Sequence, residues 1–211
     1  MQGWSNKLKP KFSFAMTYAD FGHLGAEIEK TQQYAIDSLH IDVIDGHYVP
    51  SFAMSLNDTK FIRANTNKPL EIHMMTENPG NTVDIFISVL KKGDTVYIHP
   101  DAERYPLMTI EKISKAGLLT GLVVKPDMGV QSIYNMLPAV NKVLLLANLP
   151  IGENNCLPDS NILIRKAGQL TSAVSNNKIE IYCEGYIERE NISDMMSVGI
   201  TGFVVENMSD F

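Results

Sequence analysis

Eight short runs rich in β-branched and aliphatic residues recur along the chain, spaced by longer stretches with helical periodicity, at intervals of roughly 25 residues. The runs are Phe12–Thr17, Leu39–Ile44, Pro69–Met75, Thr95–His99, Leu119–Lys125, Lys142–Ala147, Lys178–Glu184 and Gly202–Glu206. Strands separated by helical crossovers pair in parallel, because a tight hairpin joins antiparallel neighbours only. Seven helical stretches lie between the eight runs, among them Ala26–Asp37, Thr82–Lys92 and Ile162–Val174. In the second of these Val83, Ile85, Phe86, Val89 and Leu90 give the apolar spacing of three and four that marks one helix face. Gly93, Gly117 and Gly199 stand where helix C-caps belong. Asn81 or Thr82 and Ser160 stand where N-caps belong.

Two architectures suit this alternation: a doubly wound open sheet and a (β/α)8 TIM barrel. The first strand-to-helix turn, Thr17–Leu24, lacks the GxGxxG of a dinucleotide-binding unit. Eight strands favour the barrel. No linker or low-complexity stretch divides the sequence, so residues 1–211 read as a single domain with 1–11 as an N-terminal extension. The sequence ends at Phe211, directly after the eighth run, which leaves that strand without a full eighth helix. A parallel strand is apolar on both faces and needs cover. Met1–Pro10, with Trp4, or a partner subunit is expected to supply it.

Composition narrows the function. Of 211 residues, 45% are hydrophobic and 20% charged, which is ordinary for a globular chain and rules out dominant disorder. Eighteen Lys plus Arg against 24 Asp plus Glu give a net charge of −6, which argues against a nucleic-acid or anionic-membrane surface. It does not exclude a small anionic substrate, which needs only local charge. Two cysteines, Cys156 and Cys183, form neither a disulfide framework nor a zinc knuckle and suit a reducing cytosol. Neither a signal peptide nor a transmembrane run is visible, so a cytoplasmic protein is expected.

The chemistry concentrates in His40-Ile41-Asp42-Val43-Ile44-Asp45-Gly46-His47-Tyr48-Val49-Pro50. Alternation puts His40 and Asp42 on one face of their strand. On an inward face these groups are costly unless paired or ligating a metal. A His-x-Asp is also what an ordinary hydrogen-bonded pair within a strand looks like. The next strand carries His73 on the face it shares with Glu71 and Met75, and the seventh ends on Glu184. Two imidazoles and two carboxylates from three strands suit a divalent ion such as Zn, Mn, Fe or Co.

These residues carry a resemblance. HIDVIDGHYVPS at residues 40–51 is similar to the HxDxMDGxFVPN of the ribulose-phosphate 3-epimerase family. Tyr18-Ala19-Asp20-Phe21, followed by Leu24 and Glu27, resembles the family's SADF region. Ile72-His73-Met74-Met75 resembles its HLM motif, and Ile181–Asn191 its DGG region. The resemblance runs from about Phe14 to the end and implies the (β/α)8 barrel. It also implies metal ligation by His40, Asp42, His73 and Glu184, the last an aspartate in the family. Asp42 and Glu184 become the acid/base pair that removes a proton from one face of a ketose C3 and returns it to the other. Met75 becomes part of the thioether lining of the site. The implied reaction is D-ribulose 5-phosphate to D-xylulose 5-phosphate, or its counterpart on a related ketose phosphate such as allulose 6-phosphate. A homo-oligomer acting on a small sugar phosphate is expected, with no nucleic-acid or membrane partner.

The departures cluster at the family's phosphate loops. The first-strand serine falls at Ala15, and NPGFGGQ is represented by Asn148-Leu149-Pro150-Ile151-Gly152-Glu153-Asn154-Asn155. The paired glycine becomes Gly185-Tyr186, and the Gly-Ser after the last strand becomes Glu206-Asn207. A glutamate beside a phosphate dianion is repulsive. Either Arg189 or Lys125 supplies the missing charge, with Gly185 and Asn207 keeping contact with substrate, or the substrate differs. Three other readings stay open: a Schiff-base aldolase using Lys125, a metal hydrolase using the same four ligands, and a non-catalytic paralogue that binds a sugar or a partner. His99, with Asp101 and Glu103, and His23 and His47 are read as residues of the barrel rim.

Overall fold

The structure, a computed structural model, describes residues 9–148, 160–174, 179–185 and 187–210. Eight parallel strands close into a barrel in chain order: β1 (Lys11–Ala15), β2 (Ser38–Ile44), β3 (Leu70–Met75), β4 (Thr95–Ile98), β5 (Leu119–Val124), β6 (Lys142–Leu146), β7 (Glu180–Glu184) and β8 (Ile200–Val205). Closure is made by β1 against β8, with Lys11 opposite Gly202 and Phe14 opposite Val205. Six α-helices are described: α1 (Leu24–Lys30), α2 (Leu56–Asn65), α3 (Val83–Ile87), α4 (Pro106–Lys115), α5 (Ser160–Ala173) and α6 (Ile192–Ser197). This is the (β/α)8 barrel that the strand count implied. None of the described helices is long and apolar enough to cross a membrane.

The helices depart from expectation in length. The sequence pattern carries the first to Asp37, yet α1 ends at Lys30, and the second stops at Ile87 rather than Lys92. The two ends share a cause. Thr31 Oγ1 donates to the Ile28 carbonyl and Ser88 Oγ to that of Ile85, each at 2.6 Å. The following amides then bond three residues back, as Gln32 does to Glu29 and Val89 to Phe86, which tightens and ends the helix. Between β5 and β6, where a helix was expected, the chain makes two 3-10 turns, Val130–Ile133 and Leu137–Ala139. Pro138 lacks the amide a continuous helix would need there. Gly117 and Gly199 follow α4 and α6 with positive φ, as C-caps do, whereas Gly93 lies in a turn six residues beyond α3. Thr82 precedes α3 without a side-chain cap, and Ser160 is the first residue of α5. Among the described residues, β8 is followed by a 3-10 turn, Met208–Asp210. Ile200, Phe203, Val204 and Val205 of β8 are nonetheless buried. The expected cover, residues 1–8 with Trp4, lies outside the described residues.

Strand alternation divides the apolar residues into two cores. Outward side chains such as Ile41, Ile72, Val96, Val143 and Leu145 pack with Ile28, Ile62, Phe86, Ile113 and Leu163 of the helical layer. Inward side chains form a smaller core of Ala15, Tyr97, Val123, Leu144, Leu146, Tyr182 and Val204. Two tyrosine rings fill the lumen because their strand neighbours are glycines: Tyr97 is in register with Gly121, and Tyr182 with Gly202. A Cβ at Gly121 would lie 2.1 Å from the Tyr97 ring, and one at Gly202 2.3 Å from the Tyr182 ring. Many of the other inward positions are polar: Ser13, Ser38, His40, Asp42, Glu71, His73 and Lys142 are all buried. That arrangement is expensive unless each finds a partner.

Candidate metal centre

His40 and Asp42 point inward two residues apart on β2. His73 is in register with Asp42 on β3, and Glu184 ends β7. Their ligand atoms all lie within 4.8 Å of one another. His40 Nε2 is 3.3 Å from Asp42 Oδ1, 3.3 Å from His73 Nδ1 and 3.7 Å from Glu184 Oε2. His73 Nδ1 is 3.1 Å from Asp42 Oδ1 and 3.5 Å from Glu184 Oε2. Ligands at about 2.0–2.1 Å from a central ion stand about 3.0–3.4 Å apart, so most of these separations suit one small divalent cation. Glu184 Oε2 is buried without a hydrogen-bond partner, an acceptor that such an ion would satisfy. Two imidazoles with two carboxylates suit Zn, Mn, Fe or Co.

The electrostatics point the same way. Burial works to lower the pKa of His40, but the Asp42 carboxylate, with Glu71 and Glu184, drives it up to about 10. His73 is raised against its own burial by Asp42 and Glu184. Burial would raise Asp42, yet the two imidazoles hold it far below the usual carboxylate range. Both imidazoles are thus shifted toward their protonated forms.

Asp42 and His73 are held from behind. Thr17 Oγ1 donates to Asp42 Oδ2 at 2.6 Å. His73 Nε2 meets His99 Nε2 at 2.8 Å, and His99 Nδ1 meets the Tyr48 hydroxyl at 3.0 Å. Tyr48 in turn donates to Asp101 at 3.1 Å. Burial, the His73 charge and Lys125 push the pKa of His99 well down, so it is neutral. A neutral ring accepts at Nε2 and donates at Nδ1, which runs the hydrogen bonds in one direction from His73 to Asp101. His99 is therefore a buried support of His73 rather than an open rim residue. Alternation beyond Thr95 and Tyr97 on β4 carries the signal for it. Tyr48 and Thr17 were not anticipated; Tyr48 lies in the loop after β2 and Thr17 in the 3-10 turn Met16–Tyr18, where no periodicity reports direction.

The loop after β2 is built by Asp45, whose carboxylate accepts from the amides of His47, Tyr48 and Glu77. Gly46 has φ +76°, a left-handed conformation that favours glycine, and the exposed Phe52 ring lies over it.

The expected substrate-contact residues are dispersed. Met75 is buried at the end of β3. Gly185 follows Glu184 with φ +85°, and a Cβ on it would meet Asn148 Oδ1 at 2.2 Å. Asn207 Oδ1 accepts from the amide and hydroxyl of Ser209. Arg189 is exposed in the turn before α6. Lys125, the candidate Schiff-base lysine, is ion-paired to Asp101 at 2.6 Å and stands over the Tyr48 ring. His23 is an exposed partner of Asp20, and His47 is exposed. Residues 149–155 of the expected phosphate loop, Cys156 and Tyr186 lie outside the described residues. Glu206, beyond β8, has its pKa raised by burial and by the charges of Glu184 and Asp42, with the Tyr18 hydroxyl as its hydrogen-bond partner opposing the rise.

The chain is similar to known proteins over almost its whole length. Residues 11–208 match the Ribulose-phosphate 3 epimerase family. It is 29% identical over 183 residues to the ribulose-phosphate 3-epimerase of Methanocaldococcus jannaschii, covering 85% of this chain and 75% of that one. It is 28% identical over 193 residues to the enzyme of the same name from Helicobacter pylori, covering 90% and 86%. The structure of 3-keto-L-gulonate-6-phosphate decarboxylase from Vibrio cholerae superposes with a TM-score of 0.69 at 15% identity, over 93% of this chain and 88% of that one, which is a likeness of fold. With the match spanning all eight strands and the site they carry, the chain belongs to the ribulose-phosphate 3-epimerase family.

Proposed function

We propose that this chain is a metal-dependent 3-epimerase of a ketose, with D-ribulose 5-phosphate to D-xylulose 5-phosphate as its leading reaction and allulose 6-phosphate as a related substrate. The observation that carries the reading is the convergence of Asp42 and Glu184, from β2 and β7, on one pair of histidines. Inverting a carbon beside a carbonyl requires a proton to leave one face and return to the other. One fixed base serves only one face, so two carboxylates are needed. Asp42, fixed by Thr17, and Glu184, nearer the mouth, take these two places and exchange roles with direction. His40, Asp42, His73 and Glu184 would hold a divalent ion, which supplies positive charge against the oxyanion that builds up as the proton leaves. Met75 lines the site.

Proton NMR in D2O tests this with metal-loaded protein and ribulose 5-phosphate. Loss of the C3 proton signal with appearance of xylulose 5-phosphate is the expected result. Asp42→Asn should lower the exchange rate by ~10²-fold or more. A variant retaining more than about a tenth of the rate would remove Asp42 from the acid/base pair.

Glu206 favours a second reading, in which the natural ketose carries no phosphate. A carboxylate already pressed by Glu184 and Asp42 is a poor neighbour for a dianion. If phosphate does bind beside it, Glu206→Ser should lower KM for ribulose 5-phosphate by about tenfold, the equivalent of ~1.4 kcal/mol. An unchanged KM, with faster turnover of an unphosphorylated ketose by the parent protein, would establish the second reading.

A further inference from the structure

Beneath the four-residue cluster a second set of buried polar groups fills the N-terminal half of the lumen. Glu71 is at its centre. Its Oε2 accepts from Ser13 Oγ at 2.9 Å, and Ser13 Oγ meets Ser38 Oγ at 2.7 Å. Its Oε1 accepts from Lys142 Nζ at 2.8 Å. These residues come from β1, β2, β3 and β6, so they meet through the barrel interior rather than along one strand pair. Lys142 Nζ also lies 4.4 Å from the Tyr182 ring centroid and 4.0 Å from Glu180 Oε2. A cavity of about 500 Å³ on the N-terminal face is lined by Lys11, Glu71, Lys142, Glu180 and Tyr182.

The top of this set touches the metal centre. Glu71 Oε2 is 3.6 Å from Nδ1 of His40, whose other nitrogen points into the cluster. His40 Nδ1 is buried and has no hydrogen-bond partner at this distance. A shift of roughly 0.5 Å would close the bond. A histidine that ligates through one nitrogen is ordinarily oriented by an acceptor on the other, which places the proton there and leaves the ligating lone pair free. Buried carboxylates are rarely kept without such work or a counter-charge, and Glu71 has both within reach.

We propose that Glu71, clamped by Lys142 and Ser13, is a positioning residue: it orients His40 and holds its proton on Nδ1, so that Nε2 is presented to a metal ion. The proposal rests on reading His40, Asp42, His73 and Glu184 as ligands. It makes Lys142, on the far side of the lumen, part of the metal site's support.

The test is a cobalt(II) titration of the parent protein, Glu71→Gln and the double variant Glu71→Gln/Lys142→Met, followed by chelator competition and by the visible spectrum of the bound ion. The double variant guards against unfolding of the single one, because it removes the cation that Glu71→Gln would leave buried alone. Circular dichroism of each metal-free protein checks the fold. The expected result is one ion per parent chain and a 10–100-fold weaker affinity in both variants, with a displaced visible band. Parent-like affinity and spectrum in folded variants would overturn the proposal and make Glu71 a structural partner of Lys142 only. Failure of the parent protein itself to bind cobalt would instead overturn the metal reading of the four residues, and this proposal with it.

Discussion

The pKa values of His40 and His73 are raised for the same reason that the two would bind a cation: carboxylates face them across less than 4 Å. Both imidazole pKa values are raised, His40 to about 10. Ligation requires neutral rings, so metal uptake at pH 7 must expel protons, and affinity must rise with pH until His40 deprotonates near 10. Titration calorimetry in buffers of different ionisation enthalpy should show one to two protons released per ion. Equal apparent heats in all buffers would mean that the histidines start neutral. At this scale much of the site was legible in the sequence. A His-x-Asp on one strand and a histidine on the next specify neighbours by alternation and register alone. Glu71 is the counter-example. Its parity puts it inside the barrel, but its partner Lys142 is 71 positions away, and only closure of the barrel brings them together. Lys142 itself sits at an inward position of the run Lys142–Leu146, where an unpartnered ammonium would be intolerable.

The strands were easier to place than the helices. Each strand is buried on both faces, so its apolar run ends where the sheet ends, and all eight expected starts fall within two residues of the observed ones. The first helix and the one after β3 are shorter than their apolar spacing, because a hydroxyl bonded to a carbonyl three residues back competes with the helix and leaves no trace in hydrophobic periodicity. The lumen shows a constraint that propensity misreads. Gly121 lies mid-strand in β5, where glycine is normally a weakness, and it is there because the Tyr97 ring occupies the space of its side chain. Gly121→Ala should therefore destabilise the barrel by about 1–3 kcal/mol through overpacking. At ~2–4 °C per kcal/mol for a chain of this length, thermal melting would register it readily. A melting temperature at or above the parent's would show that Tyr97 can move aside.

The whole molecule is a barrel with two unlike ends. One opens on the cluster of His40, Asp42, His73 and Glu184, and the other on a cavity that reaches Glu71. Between them stands a lumen plugged by the Tyr97 and Tyr182 rings and by Leu144 and Val123. Water therefore approaches the cluster from the mouth, and it does not approach the two carboxylates equally. The Asp42 side chain is 7% exposed and capped by Thr17, whereas that of Glu184 is 21% exposed. For an epimerase this inequality is a matter of isotopic memory. The acid that returns hydrogen to carbon delivers whichever isotope it last acquired. Run in D2O, the direction in which Glu184 returns the hydrogen should yield product labelled from solvent. In that same direction Asp42 is the base, and the hydrogen it removes, shielded from solvent, can be handed back to the substrate; in the opposite direction Glu184 is the base and exchanges that hydrogen for deuterium first. Deuterium at C3 of the recovered substrate, measured from both sides of the equilibrium, would compare the two exchange rates, and equal labelling would mean that Thr17 shields nothing. The shape of the barrel thus writes an arrow into a reaction whose chemistry is otherwise nearly symmetric.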